Sequence, residues 1–236
     1  MLENKQYSLI AVLLAFVLLA GVGCDLKKEE KKASLSVKEI LGEEVFIRDQ
    51  EDLDIDEDGE KETIVLYIEN PEILKDEDLY CGNVSGEKLT GTFYLGLIDN
   101  NKLKFRIELL VDALENGGEF KEKKIIKPQD LNGDGKKAEF AFTTYASCNG
   151  DYVEIIGYNL KKKELERFKF YKEDQILEEL FISYVTFFEL VYENGYLIQE
   201  YYTVTPPYGL FHNYYEWSEE KRGFNFVKNV QIESAE

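Results

Sequence analysis

From residue 45 onward the apolar residues fall into short runs of β-branched and aromatic side chains, separated by polar turns. Residues 63–68 read Thr-Ile-Val-Leu-Tyr-Ile, and residues 140–145 read Phe-Ala-Phe-Thr-Thr-Tyr. Both runs are short and built of residues that pack well on a pleated surface, so each predicts a strand. Two further strands follow each of them. The first set continues with residues 92–98 and 103–111, joined by a turn at Asp99-Asn100-Asn101. The second continues with residues 152–158 and 164–171, joined by a turn over residues 159–163. A third set comprises residues 187–192, 196–204, 213–217 and 224–230. Its first turn contains Asn194-Gly195, the pair that favours a two-residue hairpin. The total is about ten strands in three similar units, an all-β reading. Residues 173–180 predict a helix or a bridging loop, residues 111–114 allow a short helix, and residues 37–41 suggest a helical turn.

Ahead of these strands the pattern changes twice. Residues 9–23 form an uncharged apolar run of 15 residues, short for a membrane-spanning helix and suited to the apolar region of a signal peptide. The run ends in Leu19-Ala20-Gly21-Val22-Gly23-Cys24. Small residues before a Cys resemble a bacterial lipobox, although Gly21 stands where Leu is more usual. The resemblance implies that Cys24 is diacylated and becomes the first residue of a membrane-tethered chain. Residues 25–44 are charged and of low complexity, as a tether would be. The organisation expected is a lipoprotein signal peptide over residues 1–23, a tether over 24–44 and an all-β domain over 45–232.

Composition supports this reading and narrows the function. Aromatics make up 14% of the 236 residues, and apolar residues 44%, enough for a core and unlike a disordered chain. The net charge of −19 repels phosphate, so nucleic acid is not an expected partner, and it attracts cations. One His and three Cys leave little for His-based catalysis or a zinc site. If Cys24 is acylated, Cys81 and Cys148 remain, each beside Gly and Asn in a turn-like setting. In an exported protein the two form a disulfide or stand as two thiols.

The most informative segments are two acidic stretches, each directly before the first strand of a unit. One runs Asp54-Ile55-Asp56-Glu57-Asp58-Gly59-Glu60-Lys61-Glu62, and the other runs from Asp130 through Asn132, Asp134 and Lys136 to Glu139. Both begin D-x-[DN]-x-D-G. Side chains at positions 1, 3 and 5 converge when the chain wraps tightly, Gly at position 6 supplies the turn, and position 7 offers a carbonyl. Such hard oxygen ligands suit Ca²⁺ better than Mg²⁺ or Zn²⁺. An EF-hand would place a carboxylate at position 12 and continue into a helix. Here position 12 is Val65 or Ala141, and strands follow.

A D-x-D-x-D-G loop that enters a strand and closes near position 9 resembles the FG-GAP or VCBS-type repeat, which forms blades of β-propellers. The resemblance covers the two loops, residues 54–62 and 130–139, and the strand after each. It implies calcium ligands Asp54, Asp56, Asp58, the Glu60 carbonyl and Glu62. In the second loop it implies Asp130, Asn132, Asp134, the Lys136 carbonyl and Glu139. Glu139 falls at position 10, one residue late, because Ala138 occupies position 9, and this offset predicts a weaker second site. Three units are fewer than a usual closed propeller needs. The expected fold is therefore a propeller-like array of about three antiparallel blade-like units, with a β-sandwich or barrel as the alternative.

No G-x-S-x-G, phosphate-binding Gly-rich loop or H-E-x-x-H is present. His212 lies among aromatics and reads as a hydrogen-bonded loop side chain. The aromatic stretch 201–211, with Pro206 and Pro207, reads as a rigid loop that caps an edge, stacks on a sugar or docks a partner. The function expected is a non-enzymatic, Ca²⁺-stabilised interaction or scaffold lipoprotein on the extracytoplasmic face of a bacterial membrane. It would be held there through Cys24 and would bind a protein or glycan partner. The alternative is an exported hydrolase acting on glycan or cell-wall polymer.

Overall fold

A computed structural model of the chain describes residues 35–75, 87–111, 114–115, 124–147, 150–183, 190–203 and 208–234. All of them belong to one compact unit, Leu35–Glu236. The expected signal peptide, Cys24, most of the tether, Cys81, Cys148 and the two prolines of the aromatic loop lie outside the described residues. The described part of the tether contains α1 (Val37–Leu41), the expected helical turn. Ser36 and Glu39 cap it reciprocally, each side chain accepting the other's backbone N–H. Among the described residues no helix is long and apolar enough to cross a membrane.

The first sheet is built from β1 (Phe46–Leu53), β2 (Glu62–Lys75), β3 (Glu87–Asp99), β4 (Lys102–Glu108) and β5 (Leu114–Glu115). Its order is β1-β2-β3-β4, with β5 also paired to β3. The β3–β4 turn places Asn100 at φ 51° and Asn101 at φ 60°, the left-handed pair that a tight hairpin needs and Asn tolerates. Of the short helix the sequence allowed over 111–114, residues 112–113 lie outside the described residues, and Leu114 is a strand residue paired with Leu89 in β5. β1 went unpredicted because it is an edge strand with charges on it, and only its register against β2 reveals it.

The chain then makes β6 (Glu139–Ser147), β7 (Gly150–Asn159) and β8 (Glu164–Arg167) of a second sheet. The strand expected over 164–171 breaks at Phe168, a fully buried ring packed against Trp217 at 4.6 Å. Beyond the break, β9 (Lys169–Lys172) and β10 (Gln175–Leu177) join a third sheet. β11 (Leu180–Ser183) returns to the second sheet and pairs with β7. Residues 173–180 are thus turn, the short strand β10 and the first residue of β11, a bridge between sheets and not a helix. Glu173 at φ 52° turns the chain, and Ile176 pairs across to Tyr171.

The third sheet is completed by β12 (Val191–Glu193), β13 (Tyr196–Thr203), β14 (Gly209–Ser218) and β15 (Gly223–Ser234). Its order is β10-β9-β15-β14-β13-β12, and β9–β15 is a parallel pair in an otherwise antiparallel set. The described strands therefore form three sheets, and the all-β character matches the expectation. None of these sheets closes into a barrel among the described residues.

Packing explains the near-continuous apolar runs. In β2, Ile64, Leu66 and Ile68 enter one core, while Val65 and Tyr67 face the other way, against Val37, Ile40 and Leu41 of α1. A strand buried on both faces loses the usual alternation. In β7, Ile156 and Tyr158 join the core shared with the first sheet, and Val153 and Ile155 join the core shared with the third. Full burial of one such aliphatic side chain contributes about 1.5–3 kcal/mol. A buried ion pair adds a connection between sheets: Arg167 meets Glu154 at 2.7 Å and donates to the Glu108 carbonyl at 2.6 Å.

Candidate metal centres

Each acidic loop leads into the first strand that follows it, and the same local chemistry shapes both. The N–H at position 6 donates to the position-1 carboxylate, from Gly59 to Asp54 at 3.1 Å and from Gly135 to Asp130 at 3.0 Å. The position-5 N–H donates to the position-3 oxygen, from Asp58 to Asp56 at 3.3 Å and from Asp134 to Asn132 at 2.9 Å. The position-7 N–H donates to the position-5 carboxylate, from Glu60 to Asp58 at 2.8 Å and from Lys136 to Asp134 at 2.9 Å. These are Asx-type turns, in which a short side chain replaces a backbone partner. The left-handed positions coincide too, with Glu57 at φ 63° matching Gly133 at 78° and Gly59 at 92° matching Gly135 at 86°.

The closing carboxylates are equivalent despite the offset. Glu62 Oε2 accepts the Ile55 N–H at 3.0 Å, and Glu139 Oε2 accepts the Leu131 N–H, also at 3.0 Å. Leu53 pairs with Glu62, and Gln129 bridges Glu139, so each loop is pinched at the same place. The extra residue, Ala138, tucks into the core and its carbonyl takes the Tyr158 N–H. Glu139 thus turns into its loop rather than away from it.

The side chains of Asp54, Asp56 and Asp58 come together, with one oxygen from each within 4.8 Å of the others. Among the described residues this is the sole such acidic group. Glu62 is outside it, anchored on Ile55. The second loop brings two aspartates and an amide. Asn132 Nδ2 donates to Glu139 Oε1 at 3.1 Å, and Gly133 N–H donates to Asp130 at 2.8 Å. Both closing carboxylates are buried, at 4% exposed for Glu62 and 1% for Glu139. Among the described residues neither has an ionic partner. Burial pushes the Glu139 carboxyl up to about 8, with Asp134 and Asp130 adding to the rise and the Leu131 N–H opposing it. Burial raises Glu62 as well, with Asp56 and Asp58 adding to it. Buried carboxyl groups without a counter-cation, and in the first loop the converging Asp oxygens beside one of them, fit a hard cation with several oxygen ligands.

Each loop also sits where two sheets meet. Ile55 is buried in the core between the first and second sheets, and Leu131 in the core between the second and third. Tyr158 of β7 lies by the first loop, its hydroxyl pushed up by burial and then by Asp56 and Glu62. Tyr192 of β12 lies by the second, pushed up by burial and then by Asp130. Two lysines of the second loop and sheet reach the first loop: Lys136 contacts Glu57, and Lys163 Nζ stands 3.6 Å from Asp56. No sequence pattern marks Tyr158, Tyr192 or Lys163, because each arrives from a different part of the chain.

No protein-family model, curated protein sequence or solved structure matches the chain. The site is therefore read from its own geometry. Of the other candidates, His212 lies in β14 rather than a loop, and its Nε2 stands 2.5 Å from Glu200 Oε2. Tyr208 is half exposed, and its carbonyl accepts from Gln231 at 2.9 Å.

Proposed function

We propose that the protein is a lipid-anchored, extracytoplasmic lipoprotein whose β domain is a calcium-stabilised interaction or scaffold module built from FG-GAP/VCBS-like repeats in a propeller-like array. It is non-enzymatic, and its partner is a protein or a glycan. One observation carries the reading: two loops distant in sequence make the same hydrogen bonds, and each buries its position-2 residue at a seam between sheets. Asp54, Asp56, Asp58, the Glu60 carbonyl and Glu62 would hold one ion. Asp130, Asn132, Asp134, the Lys136 carbonyl and Glu139 would hold the other. The ion would supply the positive charge that the crowded carboxylates lack, and so tie each loop to its seam.

A thermal melt of the full chain in detergent, with Ca²⁺, Mg²⁺ or chelator, tests this. At free Ca²⁺ 100 times the dissociation constant, one site contributes about 2.7 kcal/mol, a rise of roughly 5–11 °C for a domain of this size. The rise is specific to Ca²⁺ and shrinks in Asp54→Ala or Asp58→Ala. An unchanged melt would leave the loops as solvated turns. Anchoring is read separately: Cys24→Ala moves the protein from the membrane fraction to the soluble one.

A further inference from the structure

The two loops match in backbone, and among their side-chain ligands they differ in kind at position 3, Asp56 in one and Asn132 in the other. In the second loop the Asn132 amide carries no charge, and its Nδ2 also donates to Glu139 at 3.1 Å and Asp134 at 3.4 Å. The first loop has a third aspartate instead, crowded within 4.8 Å of two others. That extra carboxylate is the one the second sheet answers, with Lys163 Nζ 3.6 Å from Asp56 Oδ2. Resting on the calcium reading above, we propose that Lys163 is the built-in counter-cation of the first loop and sets that site's calcium affinity.

The placement of Lys163 is not left to its side chain alone. It closes the β7–β8 turn at φ 57°, and its N–H donates to the Asn159 carbonyl at 2.7 Å. Asn159 Oδ1 accepts the Lys161 and Lys162 N–H groups at 3.0 and 3.1 Å, which shapes the same turn. Lys136, the other lysine that reaches this loop from elsewhere in the chain, meets Glu57 at position 4, outside the ligand positions. The ammonium of Lys163 therefore neutralises the third aspartate in the ion-free loop and repels an arriving divalent cation. The first loop, richer in carboxylates, is thereby brought toward the affinity of the second. Because the Lys163 side chain is 71% exposed, solvent and salt moderate the effect.

The test is calorimetric titration of Ca²⁺ into the full chain in detergent micelles, with the second loop silenced by Asp130→Asn and Asp134→Asn. Lys163→Gln should tighten binding about 3–10-fold, the size of a screened interaction between one unit charge and a divalent ion several ångströms away. Lys163→Arg should stay near the parent, and the gain should shrink at about 0.5 M salt. Lys162→Gln, which removes one cation beside Glu164 and Glu166, should change nothing. If the silenced background does not fold, the comparison is made with both loops intact, where one of two binding phases should shift. Ca²⁺ binding that Lys163→Gln leaves unchanged or weakens overturns the proposal alone. A parent chain that binds no Ca²⁺ overturns the calcium reading and the proposal with it.

Discussion

The two loops differ most at position 4. There the first loop carries Glu57, which is exposed and in contact with Lys136, whereas a Cβ on Gly133 of the second would lie 2.1 Å from the Tyr192 ring; at position 6 both Gly59 and Gly135 face open space. The first loop carries three aspartates and draws lysines from the second sheet and loop. The second replaces one aspartate with a buried amide and takes an aromatic lid from the third sheet. Similar backbone turns thus meet different surroundings, lysines from elsewhere in the chain at the first loop, a buried amide and a tyrosine ring at the second. Local sequence can encode the turn, but its neighbours depend on which sheet packs alongside.

The largest test of that contrast exchanges glycines. Gly133→Ala should cost about 2–5 kcal/mol in chemical denaturation, since it adds a left-handed penalty to a collision with Tyr192. Gly59→Ala meets the left-handed penalty alone and should cost about 1–2 kcal/mol. Equal losses would mean that Tyr192 does not cover the second loop.

A smaller effect is expected with pH. In chelator, Glu139 holds its proton to about 8 in the folded chain and near 4.5 when unfolded. The folded state therefore binds more protons across that window, and stability falls as pH rises through it. Between pH 5 and 7.5 the loss should be about 2–3 kcal/mol. Glu139→Gln should flatten the slope, and Glu62→Gln should flatten it less. A parent slope of zero would show that Glu139 is ionised without a cation. Smallest of all, Glu57→Gly relieves a left-handed non-glycine residue while losing the contact with Lys136. The two nearly cancel, for a net change within about 0.5 kcal/mol. A loss above about 1 kcal/mol would give that lysine contact a weight seldom seen in exposed pairs.

Much of this was legible in the residues. The strands over 63–68, 92–98 and 152–158 were marked by β-branched and aromatic runs, and the Asn-rich hairpin at 99–101 by its turn chemistry. The segment 173–180 misled because its acidic and aliphatic residues also suit a helix. Ile176 could declare itself a strand residue only by pairing with Tyr171. Residues 164–171 looked like one strand because the break depends on where Phe168 packs. Glu139 looked misplaced because counting positions cannot show Ala138 dropping into a core.

By itself the sequence determined the all-β character and the shape of the two acidic loops. These follow from short-range forces: alternation of side chains, left-handed turns and carboxylates reaching N–H groups a few residues away. Tertiary structure alone decided which sheet receives β9, β10 and β11, which tyrosine covers which loop, and which lysine answers Asp56. Those choices come from burying apolar faces between sheets and pairing charge across them. The partners lie tens of residues apart in the chain, where no local pattern records them.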